Sequence, residues 1–284
     1  MSDMKIPNSA TNLIKAIKRY CAEGQDDVRL ARAMADVVVG QMLPDGVVKG
    51  GSSLMFRYGG GVTRYTKDVD TARVVDLDVY LESLRMKLAA GWNGFNGKLV
   101  DVEPPSPPHV PKPYLMMPYD IKLQYCGRAW MTVRLEIGHN EIGDADAFEM
   151  KIPEDIAAAF VALGFPRPAE IPVMKLSYQI AQKLHAVSGK DSDRAHDLID
   201  LQLMSIHSPL DYGDIKSKCK RLFVYRREQA WPPTIVKGVN WENVYREARE
   251  TLRDSASIFP NVDDAVKWAN ELVDRIETEN QLLI

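Results

Sequence analysis

The sequence predicts an α+β protein: a first part built from a mixed sheet with helices, and a second part that is all-helical. Three observations carry this. Short β-branched runs alternate with helical periodicity as far as the proline-rich stretch GFPRPAEIP at 164–172, and beyond Val173 every apolar pattern has helical spacing. The chain has 284 residues with 45% hydrophobic content, enough for a substantial buried core. The expected division is therefore 1–170 and 171–284.

The elements follow in order. Asn8 to Met42 carries Leu13, Ile14 and Ile17, then Leu30, Met34, Val37 and Val38, which fits two helices interrupted near AEGQDD. VVKGGSSLMFRYGG reads as a strand, a tight turn and a short helix ended by Gly59, Gly60 and Gly61. DVDTARVV has strand character and runs into a helical DLDVYLESLRMKLAA. Gly91 to Asp120 holds prolines 104, 105, 107, 108, 111, 113 and 118, so an extended, irregular loop is expected there, a length usually kept for function or flexibility. YDIKLQY and WMTVRLEI flank CGRA as a hairpin, with Met131, Val133, Leu135 and Ile137 on one face and Thr132, Arg134 and Glu136 on the other. Five helices should follow: VMKLSYQIAQKLHAV, DRAHDLIDLQLMSI, DIKSKCKRLFVYRRE, WENVYREARETLRD and NVDDAVKWANELVDRIETENQLLI.

Composition excludes several classes. With 36 Lys+Arg against 39 Asp+Glu there is no global field to draw nucleic acid or membrane, so any basic surface must be local. Cys21, Cys126 and Cys219 form no Cys-x-x-Cys pair and suggest neither a disulfide framework nor a zinc site. The longest apolar stretch, IAAAFVALGF, is about half the roughly 20 residues of a membrane span, and MSDMKIPNSA has no apolar export core. A cytoplasmic protein with no membrane partner is expected.

Two Asp-x-Asp pairs lie close together, Asp68 with Asp70 and Asp76 with Asp78. Asp76 stands where a strand gives way to a helix, so it suits an N-cap, and Asp78 falls in the first turn where negative charge meets the helix dipole. Asp68 and Asp70 lie in a strand whose alternation puts both side chains on one face, where they repel unless a cation lies between them. Taken alone, that pair is better read as a solvated edge strand partnered by Lys67 or Arg64. Upstream, Gly50, Gly51, Ser52 and Ser53 link a strand to a helix start, where backbone N–H groups and small hydroxyls can hold phosphate.

KGGSSLMFRYGGGVTRYTKDVDT resembles the first motif of the AbiEii/AbiGii toxin family, within the nucleotidyltransferases of the DNA polymerase beta type. The matching positions are Lys49, Gly50, Gly51, Ser52, Leu54, Arg64, Thr66, Asp68 and Asp70. The superfamily places a third carboxylate on a neighbouring strand; Glu136 occupies that place, with Asp120 as competitor. IAQKLHAVSGKDSDRAHDLIDL resembles a later family motif through Lys183, Arg194, Asp197 and Asp200.

The resemblance implies a nucleotidyltransferase-type sheet domain and a helical domain that completes the active site. It implies Asp68, Asp70 and Glu136 as ligands of two Mg²⁺ (or Mn²⁺) ions, and Gly51, Ser52, Ser53, Arg64, Lys183 and Arg194 as nucleotide-binding. Lys183 would neutralise the triphosphate, Asp197 would orient Lys183 or the nucleotide, and Asp200 would support Arg194. Ser52 is compatible with an ordinary N-cap, Lys183 with the solvated face of an amphipathic helix, and Arg194, Asp197 and Asp200 with an i, i+3 ladder of surface ion pairs. The implied activity is transfer of a nucleotide from an NTP to RNA, in some members the tRNA 3′ end, blocking translation, with a cognate antitoxin. Lys216, Lys218, Lys220, Arg221, Arg226 and Arg227, interleaved with Phe223 and Tyr225, offer a local basic face for RNA. Transfer to a protein hydroxyl, with Thr66 as a possible self-target, and nucleotide binding without turnover are the alternatives.

Overall fold

The computed structural model describes residues 6–21, 26–104 and 115–278. It contains a seven-stranded mixed sheet in the order β3-β4-β5-β2-β1-β7-β6. In chain order the elements are α1 (Ala10–Tyr20), α2 (Asp27–Gln41), β1 (Gly46–Lys49), α3 (Gly50–Tyr58), β2 (Asp68–Arg73), α4 (Leu77–Ala90), β3 (Phe95–Asp101), β4 (Met117–Tyr125), β5 (Arg128–His139), β6 (Phe148–Lys151), α5 (Glu154–Ala162), β7 (Ile171–Met174), α6 (Leu176–Val187), α7 (His196–His207), α8 (Tyr212–Arg226), α9 (Trp241–Glu250) and α10 (Val262–Thr278).

The chain divides into two compact units. The first comprises 1–60, 66–140 and 145–173, and the second 61–65, 141–144 and 174–284. Two short segments that interrupt the sheet part thus belong to the helical unit. In the first unit one face of the sheet is the core. Val69, Ile121, Val133, Leu135 and Ile137 are buried there together with Met34, Val37 and Val38 of α2 and Tyr80, Leu84 and Leu88 of α4. Burial of that many large apolar side chains, each contributing about 1.5–3 kcal/mol, holds the strands in register. The alternation of β5 is as expected: Val133, Leu135 and Ile137 are buried, while Thr132 is exposed and Arg134 and Glu136 are half-buried. The β4–β5 hairpin closes on Cys126 and Gly127, both with positive φ (48° and 71°), the two-residue turn whose twist matches paired strands.

The expectation of an irregular loop over 91–120 is corrected. Residues 105–114 lie outside the described residues, but β3 occupies Phe95–Asp101 and pairs antiparallel with β4 from Phe95↔Tyr125 to Asp101↔Tyr119. A tight turn at Asn93 (φ 46°) and Gly94 (φ 85°) starts it, with reciprocal bonds of 2.8 Å between Trp92 and Phe95. The second correction concerns 164–175. Instead of passing directly into helix, the chain forms β7, which pairs parallel to β1 at Val48↔Val173. Asp76 takes the N-cap of α4 as expected, with Asp78 in the first turn, but its carboxylate makes no capping hydrogen bond.

The helical unit holds the five expected helices. Its buried set includes Ile180, Leu184, Leu198, Leu201, Phe223, Trp241, Tyr245 and Leu272. No helix among the described residues is long and apolar enough to cross a membrane.

Candidate active site

The two halves of the first motif are joined physically. α3 begins at Gly50, whose φ of +63° disfavours any side chain, and a Cβ there would meet Asp70 Oδ2 at 2.0 Å. Glycine is therefore required because the Asp70 carboxylate packs directly over the start of α3, where the helix dipole favours negative charge. Lys49 is the N-cap of this helix, without a side-chain capping bond, so Ser52 is not the cap. The Ser52 hydroxyl instead donates to the Lys49 carbonyl at 3.1 Å and accepts the Asp70 N–H at 3.2 Å, fixing the turn to β2. Ser52 and Ser53 are fully buried, and Gly51 is buried beside them in the first turn.

Sheet register brings the acids together. β2 pairs parallel to β5 with Asp68 opposite Arg134 and Asp70 opposite Glu136, so all four side chains share one face. Lys49 stands opposite Asp70 on the other side. Burial raises the Glu136 pKa, and the charges of Asp70 and Asp68 raise it further, while Arg134 and Lys49 lower it. The competitor Asp120 lies on the next strand opposite Arg134, and its carboxylate accepts from Arg134 Nε at 2.8 Å and Lys122 Nζ at 3.1 Å. Asp120 is thus paired by cations, whereas Glu136 feels two anions.

The donor set suits a hard divalent cation, which takes oxygen ligands. Among the described residues, however, no group of three or more His, Cys, Asp or Glu side chains is placed to hold a metal ion. A magnesium ion there would have to draw on one or two carboxylates together with waters and substrate phosphates.

One element of this region was not anticipated. Arg32 of α2 donates from Nη2 to the Lys67 carbonyl at 2.5 Å and from Nε to Asp36 at 2.9 Å. It hooks the residue immediately before Asp68 to a helix. Asp36 is fully buried, and its pKa is pushed up to about 7, first by desolvation and also by the Asp68 charge, against the lowering effect of Arg32. In sequence Arg32 and Asp36 look like an ordinary i, i+4 surface pair, and nothing local marks the link to Lys67.

The second motif forms a separate charge cluster in the helical unit. Lys183 Nζ lies 2.6 Å from both Asp197 and Asp200, and the three side chains are nearly inaccessible. Arg64 grips Asp200 with two bonds, Nε at 2.8 Å and Nη2 at 2.9 Å. Arg194 pairs with Asp197 at 3.0 Å, so the expected support of Arg194 by Asp200 is replaced by support of Arg64. Desolvation works against both carboxylates, yet Lys183 with Arg194 for Asp197, and Arg64 with Lys183 for Asp200, hold their pKa values below the usual range. His196, next to them, is lowered to about 4, chiefly by burial.

Most of the basic run of α8 is paired within the helical unit. Lys216 and Lys220 lie 3.1 and 3.8 Å from Glu277, Lys218 is 3.2 Å from Asp214, and Arg226 is 2.6 Å from Glu141. Arg221 donates to the Ile142 carbonyl at 2.7 Å.

Strand-borne acids thus stand beside a Gly-Gly-Ser helix start on a mixed sheet. The chain belongs to the nucleotidyl transferase AbiEii toxin family of type IV toxin–antitoxin systems, whose family model matches residues 29–274. Enzymes of this family generally use a divalent metal. No curated protein matches the chain. It is similar to solved structures of two Helicobacter pylori proteins. One is described as a candidate nucleotidyltransferase (TM-score 0.48, 14% identity, 93% of this chain and 99% of that one), the other is JHP933 (0.47, 16%, 89% and 94%). It is also similar to the nucleotidyltransferase toxin MenT4 of Mycobacterium tuberculosis (0.49, 16%, 93% and 96%).

Proposed function

We propose that this toxin-family nucleotidyltransferase transfers a nucleoside monophosphate from an NTP to an RNA acceptor, the tRNA 3′ end, and so blocks translation. The observation that carries the reading is the register of Asp68, Asp70 and Glu136 on one open sheet face beside the start of α3. Mg²⁺ or Mn²⁺ bound there would stabilise charge on the attacking and leaving oxygens. Asp68 and Asp70 would hold the ions. Glu136, whose raised pKa suits proton acceptance, would take the proton of the attacking hydroxyl. The backbone N–H groups of Gly51, Ser52 and Ser53 would cradle the phosphates, since the Ser52 hydroxyl is already engaged. Lys183, Arg64, Arg194 and Asp197 retain a proposed part in the reaction, although their charges are mutually satisfied inside the helical unit. A cognate antitoxin is the expected partner of the family, and a cytoplasmic location is expected.

Purified protein, each labelled NTP, Mg²⁺ and total tRNA test the reading. Label on tRNA with wild type and not with Asp68→Ala is expected. Label on protein alone would select a protein hydroxyl as acceptor, and no label anywhere would leave a binding protein.

A further inference from the structure

The open sheet face continues beyond the acids, and its charge changes sign. On β5 the outward residues are Glu136, Arg134 and Thr132; on β4 they are Asp120 and Lys122; on β3 they are Val100 and Lys98. Arg134 lies opposite Asp68 on one side and Asp120 on the other, Lys122 lies opposite Thr132, and Lys98 lies directly opposite Lys122. All three cations reach solvent: the side chains of Arg134 and Lys122 are 38% and 47% exposed, and Lys98 is exposed. Asp120 is shared by Arg134 and Lys122, and Asp68 stands opposite Arg134 on its other side. Among the described residues Lys98 has no acidic partner within 4.0 Å.

Two lysines directly opposite each other in an antiparallel pair destabilise the sheet. A face kept only for solubility has no use for that arrangement, whereas a face that carries a polyanion does. Lys98 differs in its pairing from the cations of α8, which lie against Glu277, Asp214, Glu141 and a carbonyl. From β5 to β3 the strip spans two strand spacings, about 10 Å at 4.7–4.9 Å each.

Resting on the RNA-acceptor reading above, we propose that the 3′-terminal nucleotides of the acceptor lie across β3, β4 and β5. Their phosphates would rest on Lys98, Lys122 and Arg134, so that the terminal hydroxyl reaches Asp68, Asp70 and Glu136. Arg134, opposite Asp68 and braced by Asp120, holds the last phosphate, and the two lysines hold those before it. The acceptor track is thus assigned to the sheet and not to α8.

The test is the salt dependence of total-tRNA binding by wild type, by Lys98→Gln/Lys122→Gln and by the α8 double variant Lys218→Gln/Lys220→Gln. Each phosphate contact to a single strand contributes about 0.7 to the slope of log K against log salt, so losing two lowers it by about 1.4. That loss is expected in the sheet variant, with affinity down about tenfold or more near physiological salt, and no change is expected in the α8 variant. Lys98→Glu is the folding control. It puts an opposite charge across from Lys122, so its melting midpoint should stay equal or rise while tRNA binding falls. Equal slopes for wild type and the sheet variant, or a loss confined to the α8 variant, would overturn the track while leaving RNA as acceptor. If wild type labels no RNA, the acceptor reading itself fails and the track falls with it.

Discussion

The sheet unit and the helical unit each gather acidic side chains, and the two groups are in opposite electrostatic states. Asp68, Asp70 and Glu136 share one sheet face, and burial first, then the charges of Asp70 and Asp68, raises the Glu136 pKa. Asp197 and Asp200 are more deeply buried, yet Lys183, Arg64 and Arg194 hold them below the usual carboxylate range. Under the proposed function the first group takes its cation from solution, whereas the second already holds its own and is bound into the fold of its unit.

Substitutions should split along that line. Asp70→Asn is expected to leave the melting midpoint near that of wild type, because the lost repulsion offsets the lost charge at the start of α3, while nucleotide transfer falls on the order of 10³-fold, as when a group stabilising transition-state charge is lost. A drop in midpoint comparable to the loss of activity would erase the distinction. Lys183→Ala should do the reverse to stability. It leaves two buried carboxylates without their shared cation, a change that typically costs about 3–5 kcal/mol, to be read from urea unfolding. A loss below about 1 kcal/mol would mean that the cluster is not structural.

Arg32→Met probes the hook on Lys67. Asp36, with its pKa near 7, can take up a proton when its partner is removed, so the stability cost is limited. Transfer should nevertheless fall about 10- to 100-fold, the range seen when groups that orient metal ligands are lost, and Arg32→Lys should restore part of it. Equal rates for Arg32→Met and wild type would reduce Arg32 to a helix-surface residue.

The smallest effect concerns pH. His185 and His196 are lowered from 6.5 to about 4, in both cases first by burial. Between those values the unfolded chain binds protons that the folded chain does not, so stability falls as pH drops from about 6.5 to about 4. His196→Gln should remove part of that slope, a change of a few degrees in midpoint at pH 5 and almost none at pH 8. An identical slope in both proteins would exclude His196 as the cause.

Local pattern made much of this legible in advance. The β4–β5 hairpin showed in strict alternation around Cys126-Gly127, and Asp68 and Asp70 showed in their spacing of two beside the glycine-serine turn. β3 was hidden because the prolines after it dominate the composition, although Asn93-Gly94 is a strong hairpin signal. The rest depends on distance along the chain. Arg64 and Asp200 are 136 residues apart, and Arg32 and Lys67 are 35 apart, so no periodicity connects them. The pairing of the basic run of α8 was hidden for the same reason, because Glu141 and Glu277 reach it from far along the chain and only Asp214 lies within α8 itself.

Thermal unfolding with and without Mn²⁺ plus NTP, on wild type and Asp70→Asn side by side, addresses the carboxylate face most directly. Ligands that bind only the folded state raise its midpoint by mass action, so a rise is expected in wild type and little or none in Asp70→Asn. The same rise in both proteins would contradict the assignment of these acids to a metal-dependent nucleotide site.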